Sequence, residues 1–201
     1  TDFAHPCQVL ADLMTIREHK ARLEGLKLCF IGDGNNMANS LIVGGLKVGM
    51  EVAVACPEGY DPHPDVLSFA KSAPSFRFTL CRDPRQAAVG ADVVFTVSQK
   101  ALAVPPGISM MVLSSRAVER IYANRPACYY LDLKAALKNG ERGQTPFTPA
   151  VGILIQINAR LNQIKRDGFA NVQAQIRAIA KDFRSRIGNC LLYTSDAADD
   201  L

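Results

Sequence analysis

The sequence predicts an α/β fold. A Rossmann-like parallel sheet with flanking helices fills the first half, and a strand followed by a mostly helical segment fills the second. Three observations carry this reading. Short apolar runs without alternation recur at Leu28–Ile31, Val52–Cys56, Phe78–Cys81 and Val93–Thr96, the pattern of strands covered on both faces. Helix-like stretches separate them at Asn36–Val48, Pro64–Ala73 and Pro84–Val89, as βαβ units require. Finally, Gly32-Asp33-Gly34-Asn35-Asn36 joins the first run to the first intervening helix, and ligands gather at such strand-to-helix turns in open parallel sheets.

The elements follow in order. Val9, Leu10, Leu13, Met14 and Ile16 recur at helical spacing behind Pro6, a residue suited to a first helical turn. The four strand runs and the three helices between them come next. A Pro105-Pro106-Gly107 turn then leads into a strand at Ile108–Leu113. Beyond it, Leu154, Ile157, Leu161 and Ile164 mark one helix, and Val172, Ile176, Ile179 and Phe183 mark another. Residues 191–201 show neither periodicity nor turn chemistry and are read as a disordered, non-native tail, set aside from the fold.

Composition narrows the function classes. The 201 residues have ample apolar content for a core, and Lys47 breaks the longest apolar run below membrane-spanning length. No membrane partner is therefore expected. Six cysteines (7, 29, 56, 81, 128 and 190) form no CxxC pair, so buried free thiols are expected rather than disulfides. Three scattered histidines argue against a metal site. Residues 1–96 carry 9 basic against 11 acidic side chains, whereas residues 97–195 carry 14 against 5. The basic residues follow helical segments with little aromatic interleaving, so a solvated face is expected and no nucleic-acid partner. The chain opens on Thr1 without a methionine or a charged-then-apolar leader, so the expectation is that the original amino terminus is missing. The compartment, cytoplasm or mitochondrial matrix, stays open.

Two groups of residues carry chemistry. The glycines of the 32–36 turn allow close approach, the helix start offers N–H groups to an anion, and Asn35 and Asn36 add directed donors. The turn is not G-x-G-x-x-G, and Cys56-Pro57 stands where a dinucleotide site would want an acid. His5 and Gln8, three apart at the start of a helix, share a face where an imidazole and a carboxamide can polarise a carbonyl oxygen. The plainer alternatives are a structural turn and a capping histidine.

The segments TDFAHPCQVLADLMTIREH and KLCFIGDGNNMANSLIVGGLKVGM closely resemble ornithine carbamoyltransferases, over roughly residues 1–96. The resemblance implies part of an ornithine-binding domain, with His5 and Gln8 on the carbamoyl group of carbamoyl phosphate and Asn36 on the amino-acid end of ornithine. It implies citrulline formation, a step of arginine biosynthesis and the urea cycle, with no cofactor and a homotrimeric assembly. That family's Ser-Thr-Arg-Thr phosphate loop, its Asp-x-Trp-x-Ser-Met-Gly and its His-Cys-Leu-Pro are absent from this sequence. Inactivity of the chain as it stands is therefore expected.

After Thr96 the text changes. SQKALAVPPGISMMVLSSRAVERI and YYLDLKAALKNGERGQTPFTPAVGILIQINARLNQI resemble class V aminotransferases of the alanine–glyoxylate or serine–pyruvate type, over about residues 97–186. That resemblance implies pyridoxal phosphate as cofactor, Lys100 as the Schiff-base lysine, Thr148 reaching the cofactor phosphate, and a homodimer. An apolar neighbourhood around Lys100 would favour its neutral amine. The expected organisation is thus a partial ornithine-binding domain at 1–96, a partial aminotransferase segment at 97–190 and the tail at 191–201. The whole is read as a chimeric fragment, with a nonfunctional chain or pseudoenzyme as a further alternative.

Overall fold

The computed structural model describes residues 1–72 and 74–187. Ala73 at the end of the expected third helix, Cys190, and the tail at 191–201 lie outside the described residues. The chain divides into two compact units at Ala91–Asp92.

The first unit opens with helix α1 (Pro6–Lys20), then alternates strand β1 (Lys27–Ile31), helix α2 (Asn36–Lys47), strand β2 (Glu51–Ala55), helix α3 (Pro64–Ala70), strand β3 (Arg77–Cys81) and helix α4 (Pro84–Ala88). The three strands pair in parallel in the order β1-β2-β3, with Val52 opposite Leu28 on one side and Phe78 on the other. Prolines stand in the first turn of α1, α3 and α4, where the missing N–H would lack a helical partner anyway.

The middle strand shows why these runs read as uniformly apolar. Val52, Val54 and Cys56 face a core shared with Ile42 and Leu46 of α2, Val9 and Leu13 of α1, and Val66 and Ala70 of α3. Ala53 and Ala55 face the other way, onto Cys81 and Ala87 of α4. Large side chains serve the side with three helices, and alanines let α4 lie close on the other. In α1 the expected apolar stripe splits: Val9 and Leu13 are buried, while Leu10 and Met14 are exposed. The α1–α2 contact is close because Gly44 lacks a Cβ, which would stand 2.7 Å from Val9 Cγ1.

The second unit contains strands β4 (Val93–Val97) and β5 (Ser109–Leu113), then helices α5 (Ser115–Ala123), α6 (Leu133–Gly140), α7 (Val151–Asp167) and α8 (Phe169–Ile187). One expectation is corrected here. The Val93–Thr96 run does not extend the parallel sheet; β4 pairs antiparallel with β5, Phe95 opposite Met111. The turn between them folds the chain straight back, so β4 satisfies its backbone groups on its sequence neighbour. Ser98, fully buried, holds that turn: its N–H donates to Ile108 O at 3.0 Å and its Oγ to Pro105 O at 2.8 Å. The α7 and α8 helices form where expected, yet only Ile157 and Val172 of their apolar stripes are buried.

Candidate functional site

The strand-to-helix turn of the first unit is clamped from below and from the side. Gly32 N–H continues the ladder to Ala55 O at 3.0 Å, and Gly34 N–H donates to Tyr60 O at 2.7 Å. Gly34 lies so close to the backbone of Asp61 and Pro62 that a side chain there would overlap it. Asn35 caps α2, its Oδ1 accepting from Ala38 N–H at 3.1 Å, the usual work of an asparagine before a first turn. The neighbouring loop is tied in turn by Arg82, which donates to Cys56 O at 3.1 Å and pairs with the Asp61 carboxylate at 2.9 Å. That guanidinium holds the Asp61 carboxyl below its ordinary range. Behind it, burial first and Asp61 second push the Cys56 thiol up to about 11, so it is neutral at physiological pH.

Asn36, the first residue of α2, is buried. Its Nδ2 donates to Thr1 O at 2.8 Å and its Oδ1 accepts from Met37 N–H. His5 is half-buried at the N-cap of α1, its N–H donating to Ser40 Oγ at 2.8 Å. Its imidazole makes no capping bond, so the simple-cap alternative is not what the ring does here. Gln8 is exposed, with Nε2 donating to Asp12 Oδ1 one turn on at 2.9 Å. The segment 1–5 thus runs along the start of α2 and brings His5 and Asn36, 31 positions apart in sequence, onto one structural feature. Asn39 and Ser40 were not singled out in the sequence, although polar side chains within the apolar text of α2 were a visible signal. A cleft of about 470 Å³ opens beside this feature between α1, α2 and α3, lined by Val9, Leu13, Val43 and Phe69 among others. Its lining is mostly apolar, with Asn39, Ser40, Lys47 and Asp65 also on it.

In the second unit, Lys100 is exposed on the turn after β4, and Thr148 is exposed in the loop before α7. The apolar surroundings expected for Lys100 are therefore absent, because its neighbours form a surface turn around buried Ser98. Residues in such positions do not fit pyridoxal phosphate, whose lysine is activated by desolvation. Among the described residues no group of three or more His, Cys, Asp or Glu is placed to hold a metal ion, and no helix is long and apolar enough to cross a membrane. Cys56 and Cys81 are buried free thiols, as expected; Cys29 is half-buried, and Cys7 and Cys128 are exposed.

Comparison with known proteins agrees with the first of the two resemblances. Residues 24–102 match the family model described as aspartate/ornithine carbamoyltransferase, Asp/Orn binding domain. The ornithine carbamoyltransferase of Carboxydothermus hydrogenoformans is 52% identical over 99 residues, covering 48% of this chain and 32% of the relative. That of Desulfotalea psychrophila is 50% identical over 94 residues, covering 47% and 31%. The solved ornithine carbamoyltransferase from Pyrococcus furiosus aligns with a TM-score of 0.43 at 49% identity, over 45% of this chain and 30% of that one. The chain spans about a third of the length of these relatives. Neither curated relative is an aminotransferase, and the aminotransferase resemblance draws no support from them.

Proposed function

We propose that the first unit carries the amino-acid side of a carbamoyl-transfer site. His5 and Gln8 direct donors at the carbonyl oxygen of carbamoyl phosphate, and Asn36 binds the amino-acid end of ornithine. The observation that supports this reading is the seating of segment 1–5 along the first turns of α2, through Thr1 O on Asn36 and His5 N–H on Ser40. In the transfer, the deprotonated side-chain amine of ornithine attacks the carbamoyl carbon. Donors aimed at the carbonyl oxygen stabilise the tetrahedral intermediate, and phosphate leaves. No cofactor is required. To take part, Gln8 must leave Asp12, and buried Asn36 must release Thr1 O from its Nδ2.

The chain by itself binds ornithine through Asn36 but does not turn over, because the Ser-Thr-Arg-Thr, Asp-x-Trp-x-Ser-Met-Gly and His-Cys-Leu-Pro motifs of the resembled family are absent from its sequence. Saturable ornithine-induced shifts at Asn36 in a two-dimensional NMR titration, with no citrulline in a colorimetric assay, are the expected pair of results. Citrulline formation would refute the inactivity, and an Asn36 signal indifferent to ornithine would refute the site.

A further inference from the structure

We propose that Asn39 and Ser40 are positioning residues that fix His5 through a three-rung latch, an inference that rests on the carbamoyl-transfer reading for its functional meaning. Helix α2 presents Asn36, Asn39 and Ser40 on one face, at spacings of three and four. Segment 1–5 presents alternate residues to them. Asn36 Nδ2 donates to Thr1 O at 2.8 Å, Asn39 Nδ2 donates to Phe3 O at 3.0 Å, and His5 N–H donates to Ser40 Oγ at 2.8 Å.

The three residues are 4%, 5% and 9% exposed, in a helix whose other residues are apolar up to Lys47 at its end. A buried polar group left unpaired is costly, so the latch segment and the helix face need each other. Asn39 has a second duty. Its Oδ1 accepts from His63 N–H at 3.0 Å, and the His63 ring stands edge-on to Phe3 at 5.0 Å. The middle rung is thereby braced against the start of α3. The last rung takes the backbone N–H of His5, Pro6 restricts the backbone of His5 before it, and Val9 packs on Gly44 one turn below Ser40. His5 is held by its main chain while its imidazole makes no capping bond. That arrangement suits a residue that must aim a ring at a substrate oxygen.

The test is NMR on the full 201-residue chain and its variants, with carbamoyl phosphate as probe. Ser40→Ala is expected to raise His5 amide exchange about tenfold, the loss of one hydrogen bond, to move the His5 ring signals, and to weaken the response of His5 to carbamoyl phosphate. Ser40→Thr keeps a hydroxyl and is expected to restore all three. Asn39→Asp keeps the acceptor for His63 N–H and deletes the donor to Phe3 O, so His5 should loosen while His63 stays protected. Unchanged His5 exchange and ring signals in both Ser40→Ala and Asn39→Asp overturn the proposal. So does an equal loss of protection at Val54, which marks a fold-wide effect. If the parent chain shows no carbamoyl-phosphate response at His5 or Gln8, the carbamoyl reading fails, and amide exchange still decides the latch.

Discussion

Cys56 shows how one residue's surroundings set its chemistry. Its thiol ends the middle strand, is buried, and has Asp61 nearby, so its pKa is raised from 9.0 to about 11. The fold therefore favours the protonated thiol. This contribution to stability is complete below pH 9 and is lost as pH rises from 9 toward 11. At pH 8 iodoacetamide should label Cys7 and Cys128, both exposed, well before Cys56; mass spectrometry of tryptic peptides reads the order, and equal labelling would contradict the burial. At this scale the sequence was legible where residue type itself names a chemistry: His5, Gln8 and Asn36 could be picked out before their surroundings were known. Asn39 and Ser40 were visible only as polar residues in an apolar helix, because their partners are the carbonyl of Phe3 and the N–H of His5, and backbone partners leave no mark in the text. The apolar letters around Lys100 misled for the related reason that apolar residues in a surface turn do not desolvate their neighbour.

Helices and strands were legible by period, and their burial was not. Ile42 on α2 and Ile179 on α8 both fall on apolar stripes, yet Ile42 is 0% exposed and Ile179 is 70% exposed. Ile42→Ala should cost about 2–5 kcal/mol, transfer plus cavity, whereas Ile179→Ala should stay within about 0.5 kcal/mol. Urea unfolding followed by circular dichroism measures both, and similar losses would show that α8 packs as tightly as α2. Strand β4 teaches the same lesson about pairing. An apolar run says neither which strand borders it nor that it is covered: Phe95 is more than half exposed. The deciding feature for Val93–Val97 lies in the turn that follows, where buried Ser98 ties the chain back through Ile108 and Pro105.

At the scale of the whole molecule, the two units differ in how much they bury. The first has a core on both faces of its sheet, from Val9 to Ala87. In the second, the described buried apolar residues are Val104, Ile157 and Val172, while Phe95, Val112, Tyr129, Leu131, Ile155, Phe169, Ile179 and Phe183 are all more than half exposed. Chain entropy opposes order in both units alike, and the second has far less apolar burial to offset it. Local opening free energy follows such burial. Hydrogen exchange on the intact chain should therefore be uneven, with the amides of β2 protected by orders of magnitude and those of α8 exchanging near the rate of free helix. The same exposed surface should take up a dye such as ANS at neutral pH without denaturant. Exchange that is equally slow in peptides covering residues 51–55 and 169–187, together with no dye uptake, would mean that the second unit gains a cover in solution. Uneven exchange would instead place the chain's ordered chemistry in the first unit, where His5 and Asn36 are already held by one latch.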